Sequence, residues 1–175
     1  MKWAGMYLEC ICRVMLIVVL AAAVAGKARA FGAFAASLRE LGLGRAAPAA
    51  AVATVAAESA AVVLLAVPRS ARLGYGLAVV LLVTFIAGIF AAVRSERPVT
   101  CNCFGTGSEQ LSAVHVVRNG LLLGVAVTGL VSATVWPARF PGLAEGALTG
   151  TFGALFAIVL IRWEDLHAIL STARH

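Results

Sequence analysis

LGYGLAVVLLVTFIAGIFAAV, residues Leu73 to Val93, carries no charged side chain. Roughly 20 apolar residues in a helix cross the hydrocarbon of a bilayer. In lipid each backbone polar group must be satisfied inside its own segment, so a stretch of this kind is a transmembrane helix. Arg72 and Arg94 bound it on its two sides. The rest of the chain repeats the pattern. It is 62% hydrophobic and 13% charged, with a mean hydropathy of +0.98. A soluble domain carries roughly twice that share of charge. The expected fold is therefore all-α, a polytopic membrane helix bundle forming one integral membrane domain over residues 1–175.

Outward from Leu73, the link Pro68 to Arg72 is too short for anything but a tight hairpin of antiparallel helices. Before it lies a span of about Pro48 to Val67, with Pro48 in a position that starts helices and Pro68 just past the end. The first span is expected over about Arg13 to Ala28. Arg13 and Lys27 would snorkel at its two ends. The small residues of Ala21 to Ala30 also imitate a cleavable signal peptide, an alternative reading of the same stretch. Between these spans, Phe31, Phe34, Leu38, Leu41 and Leu43 recur at near-helical spacing with Arg29, Arg39 and Glu40 among them. This predicts an amphipathic helix lying in the interface, stopped at Gly42 and Gly44. A fourth span is expected over about Ala113 to Val135, closed by Trp136 and Pro137. A weaker fifth, about Ala144 to Ile161, is diluted by Glu145, glycines and threonines. Four to five crossings result.

The net charge is +6. The basic residues lie at the ends of apolar runs, which fits headgroup anchors and the lipid bilayer as partner rather than nucleic acid. Five spans place Lys27, Arg29, Arg39, Arg45, Arg94, Arg97, Arg118, Arg162 and Arg174 on one side. Lys2, Arg13, Arg69, Arg72 and Arg139 fall on the other. The more basic side holds the polar interval Arg94 to Ser108, and charge alone would put it in the cytoplasm.

That interval contains Cys101-Asn102-Cys103-Phe104-Gly105. Disulfide chemistry belongs outside the cytoplasm, and on that ground the loop is expected on the extracytoplasmic side of the cell membrane. A disulfide needs Cα atoms about 4.4–6.8 Å apart. Neighbours two residues apart in an extended chain are separated by up to about 7 Å, so a Cys101–Cys103 bond needs a bent backbone. Asn102 and Gly105 favour one. A bond closed over one residue is labile, which suits exchange better than stapling. Arg97, His115, Arg118 and the N-terminus of the following helix would favour thiolate. His115, Arg118 and Asn119 share one helical face. Cys101, Cys103 and His115 would make only an incomplete metal site, and no metal is assigned.

Glu58 lies in the middle of the second span. A carboxylate in lipid is costly and needs a partner. Lys27, Arg118 and Asn119 are the candidates, and a protonated Glu58 with one interhelical hydrogen bond is the plainer reading. Cys10 and Cys12 precede Arg13 at the opposite face. They read as bystanders, or as a second exchange pair.

Ala25-Gly26-Lys27, Phe34 and Leu38 to Gly42 are similar to the first-span signature of DoxX-like membrane proteins. Glu58, Cys101-x-Cys103-Phe104-Gly105 and His115 to Leu122, with Arg118-Asn119, resemble the methylamine-utilisation protein MauE family. The resemblance covers roughly Arg13 to Val135 and leaves Cys10 and Cys12 outside its pattern. It implies a role in maturing methylamine dehydrogenase, whose small subunit is rich in disulfides. It also implies a thioredoxin-fold partner that forms or rearranges those bonds. On that reading Cys101 and Cys103 exchange disulfides with the partner, and an exported disulfide-containing protein is the substrate. Phe104 and Gly105 shape the docking surface, while His115, Arg118 and Asn119 tune the thiolates. An enzyme of this kind would be a thiol–disulfide oxidoreductase. No cofactor is required by the sequence; analogy with other four-helix membrane oxidoreductases admits a quinone. Two rival readings are a non-catalytic membrane assembly factor and a small-molecule or metal transporter using Glu58 and the thiols.

Overall fold

The computed structural model describes residues 2–94, 113–135 and 142–161. It is built of helices: α1 (Lys2–Arg29), α2 (Phe31–Leu38), α3 (Ala47–Ala66), α4 (Ala71–Arg94), α5 (Ala113–Val135) and α6 (Leu143–Ile161). The described residues contain no strand. Among the described residues, four helical segments are long and apolar enough to cross a membrane: Gly5–Arg29, Phe31–Ala66, Pro68–Ala91 and Val116–Val135. The chain is an all-α, multi-pass membrane bundle.

Four helices close a ring. α1 packs on α3, α3 on α4, α4 on α5 and α5 back on α1. α6 lies outside the ring against α1. It runs parallel to α1, because Thr149 near its start meets Cys10, and Gly153 one turn on lies against Ile11 and Val14. The apolar stretch of α6, Gly146–Ile161, is shorter than the four others. Leu16, Leu65, Tyr75, Leu82, Leu122 and Ala126 are among the side chains that fill the centre. Val63, Leu73, Val80, Val131 and Phe152 point outward, as apolar side chains do where the solvent is lipid.

Phe31–Ala66 is 36 residues long, too long for one crossing. It is broken in the middle. α2 ends at Leu38, a wide π turn covers Arg39–Leu43, and a short 3-10 turn over Gly44–Ala46 leads into α3. Gly42 and Gly44 have φ of 98° and 49°, a left-handed backbone that glycine adopts without Cβ strain. Eight residues of α2 rise only about 12 Å, so α2 does not cross. It rests on α3 instead, with Phe34, Ala35 and Ala51 buried in a small cluster apart from the main core. Arg39 and Glu40 are exposed.

Close approach sets the ring. A Cβ on Gly74 would stand 2.7 Å from the backbone nitrogen of Leu65, so the α3–α4 hairpin closes only around a glycine. A Cβ on Gly129 would land in the ring of Tyr75. Val67 is extended ahead of Pro68, which ends α3. The Ser70 hydroxyl donates to the carbonyls of Leu64 and Val67 at that turn. Arg72 Nε donates to the Ala133 carbonyl at 2.8 Å, tying the start of α4 to the end of α5.

α1 begins at Lys2, well ahead of the span start expected at Arg13. Lys27, 1% exposed, does not snorkel at a helix end, and neither does Arg13. Arg13 is 1% exposed in the interior, because Glu9 one turn earlier gives it a partner there.

Candidate functional site: two buried polar clusters in the bundle

Lys27 and Glu58 form the first cluster. Lys27 Nζ donates to Glu58 Oε1 at 2.6 Å, and both side chains are about 1% exposed. α1 packs antiparallel to α3, which brings the last turn of one to the middle of the other. Two aromatic rings complete the enclosure. The ammonium lies 5.5 Å from the centroid of Phe34 on α2 and 5.1 Å from that of Phe85 on α4. The ring faces carry negative charge density, so they attract the cation where water is excluded. Of the three partners considered for Glu58, Lys27 is the one it pairs with. Glu58 Oε2 accepts no hydrogen bond among the described residues.

Arg118 and Asn119 lie in the second turn of α5 and are 3% and 8% exposed. They therefore face inward, at the same end of the bundle as Lys27. His115 belongs to α5, but its side chain lies outside the described residues, as do Cys101, Cys103, Phe104 and Gly105. The covalent chain carries the two cysteines between Arg94 at the end of α4 and Ala113 at the start of α5. Among the described residues, no group of His, Cys, Asp and Glu forms a metal-binding set.

The second cluster lies toward the other end and was not singled out from the sequence. Glu9 and Arg13 pair on α1, Oε1 to Nε at 3.5 Å. The Tyr75 hydroxyl donates to the Glu9 carbonyl at 3.0 Å and lies 3.3 Å from Glu9 Oε1. All three side chains are buried. The signal was present in the spacing: an acid four residues before a base on an apolar helix is a ready-made ion pair. Cys10 and Cys12 flank this cluster as free, buried thiols. Residues two apart on a helix point about 200° away from each other. Cys10 accordingly takes a hydrogen bond from Thr149 on α6, while Cys12 faces the ring core. With α1 intact, no disulfide joins them.

The family model for methylamine utilisation protein MauE matches residues 5–132. The chain belongs to the MauE family. The matched stretch runs from the first turns of α1 through most of α5 and contains both buried clusters and the Cys101–Cys103 pair. α6 lies beyond it. No curated protein and no solved structure shows a significant match to the chain. As a family member it is a membrane protein associated with methylamine utilisation.

Proposed function

We propose that this MauE-family protein is a membrane thiol–disulfide exchanger that serves the maturation of an exported, disulfide-bearing protein. The observation that carries the reading is an alignment of parts. Lys27, Arg118 and Asn119 are buried at the end of the bundle where the chain bearing Cys101 and Cys103 joins α4 to α5. Of these, Arg118 is the cation not engaged by Glu58, and a cationic group near a thiol favours its thiolate, the reactive form. Burying such groups in lipid is costly and is characteristic of functional positions.

The exchange proceeds in two steps. A thiolate of a thioredoxin-fold partner attacks one sulfur of the Cys101–Cys103 disulfide. That forms a mixed disulfide and releases the other cysteine as thiolate. The partner's second thiolate then attacks its own sulfur in the mixed bond. The partner leaves with a disulfide, and Cys101 and Cys103 are left reduced. Two electrons have entered the pair and must pass to an acceptor, for which a membrane quinone is the fitting chemical class. The loop is assigned to the extracytoplasmic side, where disulfides persist. Charge argues the other way, since Arg29, Arg39, Arg45 and Arg94 are exposed at this end.

Replacing either cysteine tests the reading. Cys101→Ser and Cys103→Ser are expected to abolish disulfide formation in the client protein while membrane abundance stays at the wild-type level. Loss of abundance in parallel with activity would instead make the thiols structural and the protein an assembly scaffold.

A further inference from the structure

We propose that α2 is a lid over the Lys27–Glu58 pair, opening it to the aqueous interface at the end of the bundle that bears the Cys101–Cys103 segment. The inference rests on geometry and stands whether or not the thiols exchange.

Three observations carry it. The first is what covers Lys27. Its ammonium is held by groups from three other elements, Glu58 of α3, Phe85 of α4 and Phe34 of α2. Glu58 and Phe85 stand on crossing helices of the closed ring. Phe34 stands on an eight-residue helix outside it. The second is how α2 is held. Phe34, Ala35 and Ala51 form a cluster with no buried residue in common with the main core. Lifting α2 therefore breaks that small cluster and the Phe34–Lys27 contact, and leaves the ring packing in place. Units with few buried contacts open at lower free energy than the whole fold. The third is how α2 is joined. On its C-terminal side come the π turn and two glycines of positive φ, Gly42 and Gly44, with no neighbouring atom within 4 Å of an added Cβ. On its N-terminal side Ala30 leaves the helical region, with φ −116° and ψ 38°. These joints are where the backbone departs from regular helix, so rotation of α2 is localised there, at the cost of the Phe34 N–H to Ala30 carbonyl bond and the contacts of the C-terminal turns with α3.

Opening would expose an ammonium and a carboxylate that are otherwise sealed in apolar surroundings. The carboxylate already has one oxygen, Oε2, with no hydrogen bond among the described residues. The open site could exchange protons with water and admit a small polar solute from the membrane surface.

The chain contains only two lysines, Lys2 and Lys27, which makes the test direct. The full-length protein in nanodiscs, open on both faces, is treated with a charged, water-soluble amine-acylating reagent and each lysine is followed by mass spectrometry. A small maleimide reports on Cys12, buried in the main core. Lys27 is expected to acylate steadily under native conditions while Cys12 stays protected. Phe34→Ala should speed Lys27 acylation roughly tenfold, the scale for removing a ring packed over a cation on a locally opening element. Phe85→Ala, which alters the ring-facing wall, should not match that acceleration. The proposal is overturned if Lys27 stays unmodified until the protein is denatured. It is equally overturned if Lys27 and Cys12 become reactive together, or if Phe85→Ala has the effect of Phe34→Ala. Where Phe34→Ala does not assemble, the wild-type comparison of Lys27 with Cys12 decides.

Discussion

Glu58 is the residue on which the interior chemistry turns. Its pairing with Lys27 spends most of the interaction energy on offsetting two desolvated charges, so the pair is a weak source of net stability, while either member alone is strongly destabilising. Glu58→Ala should lower the unfolding free energy by about 3–5 kcal/mol by leaving the Lys27 ammonium buried without its carboxylate. The double variant Lys27→Met, Glu58→Leu should recover most of that loss in thermal unfolding of the purified protein. A double variant as unstable as the single one would mean that the pair is not coupled. At this scale the sequence was partly legible. A lone carboxylate in an apolar span demands a partner, and Lys27 was among the three candidates. The choice among them depended on how α1 and α3 overlap, which no local pattern encodes. Glu9 and Tyr75 went unnoticed because Arg13 was read as the end of a span. A helix end is where a snorkelling arginine is ordinary, so no partner was sought for it.

Elements are set against each other by small residues at particular points. Without a hydrophobic drive between helices in lipid, close backbone approach and side-chain fit decide association. Gly129 gives the Tyr75 ring its place between α4 and α5, whereas Gly124, on the same helix, has nothing within 4 Å of an added Cβ. Gly129→Ala should therefore reduce folded yield and thermal stability, and Gly124→Ala should leave both close to wild type. Equal effects would show that helix propensity, not the α4–α5 contact, governs the outcome. The spans themselves were plain in the sequence because lipid allows so few solutions. Leu73 to Val93 has no charge to place elsewhere, and Pro68 and Gly42 and Gly44 punctuate the chain where the helices break. Two things were not plain. The first helix starts before Arg13, since an ion pair lets charge continue into the apolar interior. The π turn over Arg39–Leu43 also leaves no pattern beyond its glycines, because both neighbouring segments are apolar and helical.

The described residues form a four-helix ring with a further helix on one side and a small helix over one end. The family match, residues 5–132, ends within α5 and so takes in α2 and nearly all of the ring, while α6 lies beyond it, packed on α1. The two buried clusters occupy opposite halves of that ring. Cys10 and Cys12 accompany the one at the end away from the loop, sealed among helices. Cys101 and Cys103 fall in the sequence between α4 and α5, whose joined ends lie at the other end of the ring, the end at which Lys27, Arg118 and Asn119 are buried. On the proposed function, only this second pair cycles between thiol and disulfide, and does so outside the cytoplasm. The direct measurement is alkylation in intact cells with a membrane-impermeant thiol reagent, before and after reduction, resolved residue by residue by mass spectrometry. A population of Cys101 and Cys103 should be protected before reduction and labelled after it without permeabilisation, with Cys10 and Cys12 unlabelled throughout. Cys101 and Cys103 fully reduced at all times, or labelled only once the membrane is breached, would contradict it.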